Sequence, residues 1–249
     1  MPVTPLAALR RRPVLAGAVT LAVVALAATG TDRAVARYAE QQTADAFQQA
    51  TRTAQPPTVA IGGFPVLGQV VRGRLDHVEI TAHDIPADTG AGRPPISRLD
   101  LRLTGVRQSD DERTARSEAA RATAFLSYAD LSDALGVGIT PGDRAGYVDA
   151  RIQLPLLGAA TVTARVGAGP GNSIAFSDLH VVSGDLPAPG MRLLTKVFEQ
   201  PMPVRNIPQG LHLETLRTSP TGLSAQLAGR DVAFRTDATD DATDAGSGV

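Results

Sequence analysis

The sequence predicts a single α+β domain built mainly from antiparallel β-strands. Apolar and polar residues alternate with period two in four separate segments, the pattern of a sheet with one apolar and one solvent-facing side. Short links rich in glycine and proline join consecutive segments, which favours hairpins. No break in composition divides residues 32–235, so we expect one domain there, long enough to bury a substantial core.

The N-terminal segment has the pattern of an export signal. Arg10, Arg11 and Arg12 precede the apolar run Pro13–Ala28, and a basic flank before an apolar core is typical of exported proteins. The run is shorter than the roughly 20 residues that cross a bilayer, and small residues near Ala27 and Ala36 would permit cleavage. Residues 1–31 are therefore predicted to be a signal peptide or a retained membrane anchor, which places the protein in the cell envelope or periplasmic space.

A helix is expected next, capped by Thr31 or Asp32 and ending near Arg52, just before two prolines. A weak apolar stripe on this helix comprises Val35, Tyr38, Ala39, Ala46 and Ala50. A stripe with so many alanines suits close docking against a larger element.

The segment Ile61–Ala82 is the most distinctive part of the chain. A short strand meets a Gly-Gly-Phe-Pro corner, and a brief apolar turn leads through Gly73 into a second strand. The glycines and the proline set backbone shape, so the corner either shapes an apolar cavity or packs as ordinary core. Arg72 and Arg74 flank Gly73 and are candidates for a phosphate contact, or else solubilising rim residues.

The remaining strands alternate regularly, with two exceptions. The apolar phase changes between Ile174 and Leu179, and again around Gly229, which predicts a β-bulge or a strong bend at each place. Two helices are expected, Tyr128–Leu135 with Asp130 as its cap, and Pro189–Gln200. The charged stretch from Ser109 to Ala122 is predicted to be an exposed loop or helix, and residues 236–249 a disordered acidic tail.

Composition and motifs argue against several classes of function. The chain has no cysteine or tryptophan, few aromatic residues and a formal charge of −1, so nucleic-acid binding is not expected. His77 and His83 share strand parity with Glu79 and should face solvent, and no hydrolase or nucleotide motif occurs. Asp130 and Asp133 are one turn apart, but capping and a solvated face explain them. We expect no catalytic residue, metal or cofactor.

Four segments together resemble the actinobacterial LmeA-like phospholipid-binding family, by their order and spacing. They are Ile61–Leu67, Gly73–Ala82, Leu99–Val106 and Tyr128–Gly136. The resemblance implies a cell-envelope protein that binds phospholipid at a membrane surface. It also implies a fold similar to tubular lipid-binding domains, in which a long, curved antiparallel sheet wraps one or more helices. Members of the family are associated with maintaining mannose-containing glycolipids.

The lipid-binding residues expected from this reading are the apolar side chains of the corner, the strands and the second short helix. They are Phe64, Pro65, Leu67, Val70, Val78, Ile80, Leu99, Leu101, Leu103, Val148, Ile152, Val162, Ile174, Phe176, Leu194 and Phe198. Each buried methylene contributes about 0.8 kcal/mol, so acyl chains alone supply ample affinity. Three alternatives stay open. The same faces could close on one another as a dry core, and the domain could be an anchored structural or partner-binding module. It could also be an envelope hydrolase or glycosyl-processing enzyme, which would need convergent carboxylates or a Ser–His pair.

Overall fold

The computed structural model describes residues 12–86, 95–108, 114–154, 158–184, 201–204 and 207–235. Its helices are α1 (Arg12–Thr51), α2 (Val66–Val71) and α3 (Tyr128–Leu135). Its strands are β1 (Thr58–Gly62), β2 (Arg74–Ile85), β3 (Ile96–Gln108), β4 (Thr114–Ser127), β5 (Gly138–Pro141), β6 (Tyr147–Leu154), β7 (Gly158–Gly169), β8 (Ser173–Ser183), β9 (Met202–Pro203), β10 (Gln209–Thr218) and β11 (Gly222–Arg235).

The strands form two antiparallel sheets, which confirms the α+β class and its antiparallel character. The larger sheet has the order β1-β2-β3-β4-β11-β10, and the smaller has the order β5-β6-β7-β8-β9. Strands that follow one another in sequence are mostly neighbours, as the short links predict. The long excursion is from β4 to β11, because the whole smaller sheet is inserted between these two partners.

Helix α1 packs against the apolar face of the larger sheet. The buried cluster comprises Ala36, Ile61, Val66, Val78, Ile80, Leu101, Leu103, Ala120, Ala122, Leu211 and Val232, with Ala39 and Phe47 packed against it. Two α1 carboxylates also bind backbone groups: Asp32 Oδ1 accepts from Leu67 N at 2.8 Å, and Glu40 Oε1 accepts from Ile61 N at 3.0 Å. The part of α1 from Asp32 to Glu40 is therefore held by β1 and α2.

A second cluster joins α3 to both sheets. Tyr128 and Leu131 of α3 are buried with Val148, Val166 and Leu223, which come from β6, β7 and β11. Ser127 caps α3 by accepting a hydrogen bond from Asp130 N at 3.0 Å, and Gly136 ends the helix in the left-handed conformation. The predicted helix is confirmed, but the predicted cap is wrong, since Ser127 and not Asp130 caps it. Asp130 instead accepts from Ser97 Oγ at 2.6 Å.

Both predicted β-bulges are confirmed. The β7–β8 register shifts between Thr163 and Arg165, opposite Asp178, whose φ is 52°. The β10–β11 register shifts between Gln209 and Leu211, opposite the segment around Asp231, whose φ is 51°. Relative to its partner strand, the shift in β8 accommodates one extra residue and the shift in β11 accommodates two.

The charged stretch that was expected to be a loop or helix is in part a central strand. Residues 114–122 belong to β4, which pairs with β3 on one side and β11 on the other. The expectation was wrong because alanine carries so little hydrophobic signal. Ala120, Ala122 and Ala124 alternate with Arg121 and Thr123, a period of two that the surrounding charges obscure.

The prediction for the first helix was wrong at its start and in part of its stripe. Helix α1 runs without interruption from Arg12, so neither Thr31 nor Asp32 caps it. Tyr38 is 65% exposed and Ala46 and Ala50 are exposed, whereas Ala36 is buried. Only small side chains fit where α1 lies close to the strands, so the buried residue is Ala36. The larger Tyr38, which suggested the predicted stripe, lies on a neighbouring face of the helix.

The remaining expectations fall elsewhere. The proposed helix Pro189–Gln200, with Leu194 and Phe198, and the tail 236–249 lie outside the described residues. Among the helices that the structure describes, none has the length and apolar character needed to cross a membrane.

Candidate functional site

The Gly-Gly-Phe-Pro corner is built around the side chain of Gln69, which is buried. Its Nε2 donates to Gly62 O at 3.2 Å, and its Oε1 accepts from Asp76 N at 2.8 Å. A Cβ on Gly63, whose φ is +95°, would lie 2.4 Å from Gln69 Nε2. The corner therefore needs glycine both for its backbone conformation and for space.

Helix α2 turns its apolar side outward. Val66 and Gln69 face the core, whereas Leu67, Val70 and Val71 are 42%, 43% and 78% exposed. Phe64, just before the helix, is 73% exposed. We call Phe64, Leu67, Val70 and Val71 the α2 surface. Four of the eight large hydrophobic side chains recorded as exposed in the described chain lie in this one surface, so it is a patch and not scattered exposure.

The predicted lipid-binding residues of the larger sheet come together. Val78, Ile80, Leu101 and Leu103 are all buried in the cluster beneath α1, with Leu99 half-buried at its edge. Their alternation therefore marks the face that packs against α1. Phe64, Leu67 and Val70 point away from that cluster into solvent, and the exposed Pro65 immediately precedes α2.

The predicted residues of the smaller sheet are in two different settings. Val148 is buried in the α3 cluster, and Phe176 packs against that cluster. Val162 is buried, whereas Ile152 and Ile174 are half-buried and lie outside both clusters of described residues. Val162 pairs with Ala150 and Val181, which places these apolar residues on one continuous inner face.

The sequence analysis did not identify the row of alanines of β4 as part of the apolar face of the larger sheet. Ala120, Ala122 and Ala124 of β4 pair directly with Leu103, Leu101 and Leu99 of β3. On the other side, their partners in β11 are Gly229, Leu227 and Ala225. All three alanines are buried, and Ala120 and Ala122 belong to the cluster beneath α1. The alternation of alanine with polar residues was the available signal.

The outer face of the smaller sheet carries a small polar pocket of about 160 Å³. Its lining residues are Asp143, Arg144, Tyr147, Asp149, Thr163, His180 and Val182. Tyr147 donates to Asp178, and this hydrogen bond lowers the pKa of the Asp178 carboxyl and raises the pKa of the Tyr147 hydroxyl. Both groups are exposed, so the pairing orders the rim of an open pocket.

The titratable groups elsewhere serve structural roles. The hydrogen bond from Ser97 is the main cause that lowers the pKa of Asp130, and Arg98 does the same for Asp100. His77 and His83 are exposed, as their strand parity predicts, and His212 is exposed as well. Among the described residues, no three histidine or acidic side chains are close enough to hold a metal ion.

Arg74, one candidate for a phosphate contact, is engaged in the protein. It forms ion pairs with Glu118 at 2.9 Å and with Asp76 at 3.8 Å. Arg72 is exposed, and no described carboxylate pairs with it. Of the two arginines that the sequence analysis grouped, Arg74 is thus ion-paired, whereas Arg72 has no described carboxylate as a partner.

Comparison with protein families places the chain in a known family over most of its length. A model of the LmeA-like phospholipid-binding family matches residues 30–228, which include every strand but the last part of β11 and all of α1 from Gly30 onward. The chain belongs to this family, which confirms the resemblance seen in the sequence. No curated protein and no solved structure matches it.

Proposed function

We propose that this protein binds phospholipid without catalysing a reaction, in the cell envelope, and that it supports the maintenance of mannose-containing glycolipids there. Membership of a phospholipid-binding family over residues 30–228 is the observation that carries the proposal. The basic and apolar N-terminal segment supports export. Asp100 and Asp130, whose pKa values are lowered, are engaged in hydrogen bonds within the domain.

The acyl chains are proposed to lie on the inner face of the smaller sheet. Ile152 and Ile174 are half-buried there and outside the packed clusters, so apolar surface is still available for a ligand. Burial contributes about 0.8 kcal/mol per methylene, so a few methylenes on this face suffice for binding. The buried residues Val78, Ile80, Leu101 and Leu103 then shape the fold around the ligand.

A curved sheet that wraps its helices is part of this proposal. The two bulges, at Asp178 in β8 and near Asp231 in β11, bend strands of both sheets. Bulges increase local twist and curl a sheet toward one face. Their presence in each sheet supports a concave apolar surface of the kind found in tubular lipid-binding domains.

The two packed clusters favour a second candidate, a partner-binding module without a lipid. Most of the predicted lipid-binding side chains of the larger sheet are already buried in the cluster that contains Ala36 of α1, as expected for a dry core. This candidate predicts a folded protein that carries no extractable lipid and that co-purifies with another envelope protein.

Native mass spectrometry of the full chain, purified in mild detergent, with organic extraction, distinguishes the two. The phospholipid proposal predicts a stoichiometric adduct whose extracted lipid is a phospholipid. A mass without adduct, unchanged after incubation with liposomes, would overturn it and favour the partner-binding module.

Adjacent residues on opposite faces of β6 provide a matched pair of variants for the same measurement. Ile152→Asn places an amide on the proposed acyl-chain surface, at a cost of about 1–3 kcal/mol, so lipid affinity should fall by about tenfold or more. Gln153→Asn changes an exposed side chain and should leave occupancy unchanged. Equal occupancy in both variants would remove the smaller sheet from the site.

A further inference from the structure

The α2 surface lies at the end of the domain where the apolar N-terminal run joins it. Asp32 Oδ1 accepts from Leu67 N at 2.8 Å, so α1 and α2 touch at this point. The apolar run ends at Ala28, one helical turn earlier on the same uninterrupted helix, which is about 6 Å along its axis. The most exposed apolar patch of the described chain and its most apolar segment are therefore neighbours.

Charge around the α2 surface is complementary to one kind of partner. Arg33 and Arg37 on α1 and Arg72 at the end of α2 are exposed, and no described acidic residue pairs with any of them. Asp32 is buried and already engaged with α2, and Asp76 pairs with Arg74. Apolar side chains with Arg72 at their edge, beside a helix that carries two further exposed arginines, match the interface of an anionic phospholipid bilayer.

We propose that the α2 surface docks on an anionic phospholipid bilayer, with Phe64 and Val71 inserted at the level of the headgroups and first methylenes. In the full chain, the apolar run at the start of α1 is next to this surface and would enter the same bilayer. The arginines contact lipid phosphates. Docking would place the domain so that a phospholipid can leave the membrane for the apolar face, so this inference rests on the proposed function.

The position of the corner explains why its apolar residues face solvent. Val66 and Gln69 anchor α2 to the core, and Asp32 binds its first turn. Leu67, Val70 and Val71, at spacings of three and four, then form the opposite side. A rigidly held helix can present an apolar side to lipid without itself unfolding. An acyl-chain pocket would require these side chains to face inward, toward the sheet.

The protein has no tryptophan, so a single introduced tryptophan reports on its surroundings without interference. Phe64→Trp and Val71→Trp place the reporter on the α2 surface. Val182→Trp is the matched control, since Val182 is 53% exposed on β8 of the smaller sheet. The full chain is reconstituted into vesicles of phosphatidylglycerol and phosphatidylcholine with brominated acyl chains, which quench tryptophan by contact.

Docking predicts that brominated vesicles lower the emission of Trp at 64 and at 71 by about twofold or more, while Trp at 182 is nearly unchanged. Replacing phosphatidylglycerol with phosphatidylcholine, or raising the salt concentration, should weaken the quenching, because screening reduces the arginine attraction. Quenching no greater at 64 and 71 than at 182 would overturn the inference. Two tryptophan positions protect the test against one variant that fails to fold.

Two further results would also overturn it. If one equivalent of brominated phospholipid delivered in detergent quenches Trp at 64 as strongly as vesicles do, the α2 surface lines the acyl-chain site. If the chain forms dimers that Phe64→Asp abolishes, and vesicles do not quench, the surface is an interface between copies.

Native mass spectrometry on the same preparations separates this inference from the proposed function. A phospholipid adduct without selective quenching retains lipid binding and removes α2 docking. Selective quenching without an adduct retains the docking surface and removes the lipid-binding function. Each result therefore assigns the failure to one of the two proposals.

Discussion

At Gly63 the backbone conformation and the surrounding space both require glycine. Its φ is +95°, and an added Cβ would lie 2.4 Å from the buried Gln69 side chain. Gly73, at the other end of α2, has a φ of +64° but nothing within 4 Å of an added Cβ. The two glycines of one motif thus have different reasons to be there, which the sequence alone does not separate.

This difference gives a matched pair of variants. Gly73→Ala should cost about 1–2 kcal/mol, the ordinary penalty for a left-handed residue. Gly63→Ala should cost at least about 1 kcal/mol more, because it also disturbs the two hydrogen bonds of Gln69. Denaturant unfolding of both variants, read from the midpoints, is the measurement. Equal losses would show that Gln69 adapts without cost.

The elements were predictable where their signal is local. The alternation of Leu99, Leu101 and Leu103 identified β3, and the step in phase near Asp178 identified a bulge that the register confirms. The strand β4 was missed because alanines do not stand out from the charges around them. Its place in the centre of the sheet depends on β11, which follows about 100 residues later.

Helix α3 is attached to β3 by a polar network that no periodicity reveals. Ser97 Oγ donates to Asp130 Oδ2 at 2.6 Å and accepts from Ser127 N at 2.9 Å. The hydrogen bond from Ser97 is the largest cause that holds the pKa of Asp130 below its usual value. A group with a lowered pKa adds stability above its unfolded pKa, and this contribution is lost as the pH falls through the folded value.

Ser97→Ala should therefore lower the free energy of unfolding by about 1–2 kcal/mol at neutral pH. The difference from the unsubstituted protein should shrink below about pH 4, where the carboxyl becomes protonated. Unfolding curves across this range test the prediction, with the exposed Ser183→Ala as control. A loss that does not change with pH would show that the carboxylate contributes nothing to the network.

At the scale of the whole molecule, α1 connects the apolar N-terminal run with the folded domain. The boundary predicted at residues 31 and 32 falls inside this continuous helix. Ala36 is 2% exposed in the core and Asp32 binds α2, so both residues belong to the domain. The two cleavage sites suggested by small residues are thus not equivalent. Only cleavage near Ala27 leaves these contacts intact.

The mature protein is expected to retain Asp32 and Ala36, whether the N-terminal run is removed or kept. Cleavage after Ala36 would remove the carboxylate that accepts from Leu67 N, a contact worth about 1 kcal/mol, together with a buried side chain. Intact-mass measurement on protein isolated from the envelope fraction tests this. An N-terminus at Arg37 would show that the domain folds without the contacts of Asp32 and Ala36.

The sequence by itself determined the α+β class, the antiparallel strands, the two bulges and the family. Strands and bulges depend on residues close together in the chain, and the family depends on the order and spacing of short segments. Only the tertiary structure decided what covers each apolar face. Alternation shows that one side of a strand is apolar, but it is the same whether α1, another strand or a lipid lies against that side. Val78 and Phe64 looked alike in the sequence. One is buried beneath α1 and the other faces solvent, since burial depends on contacts between distant segments.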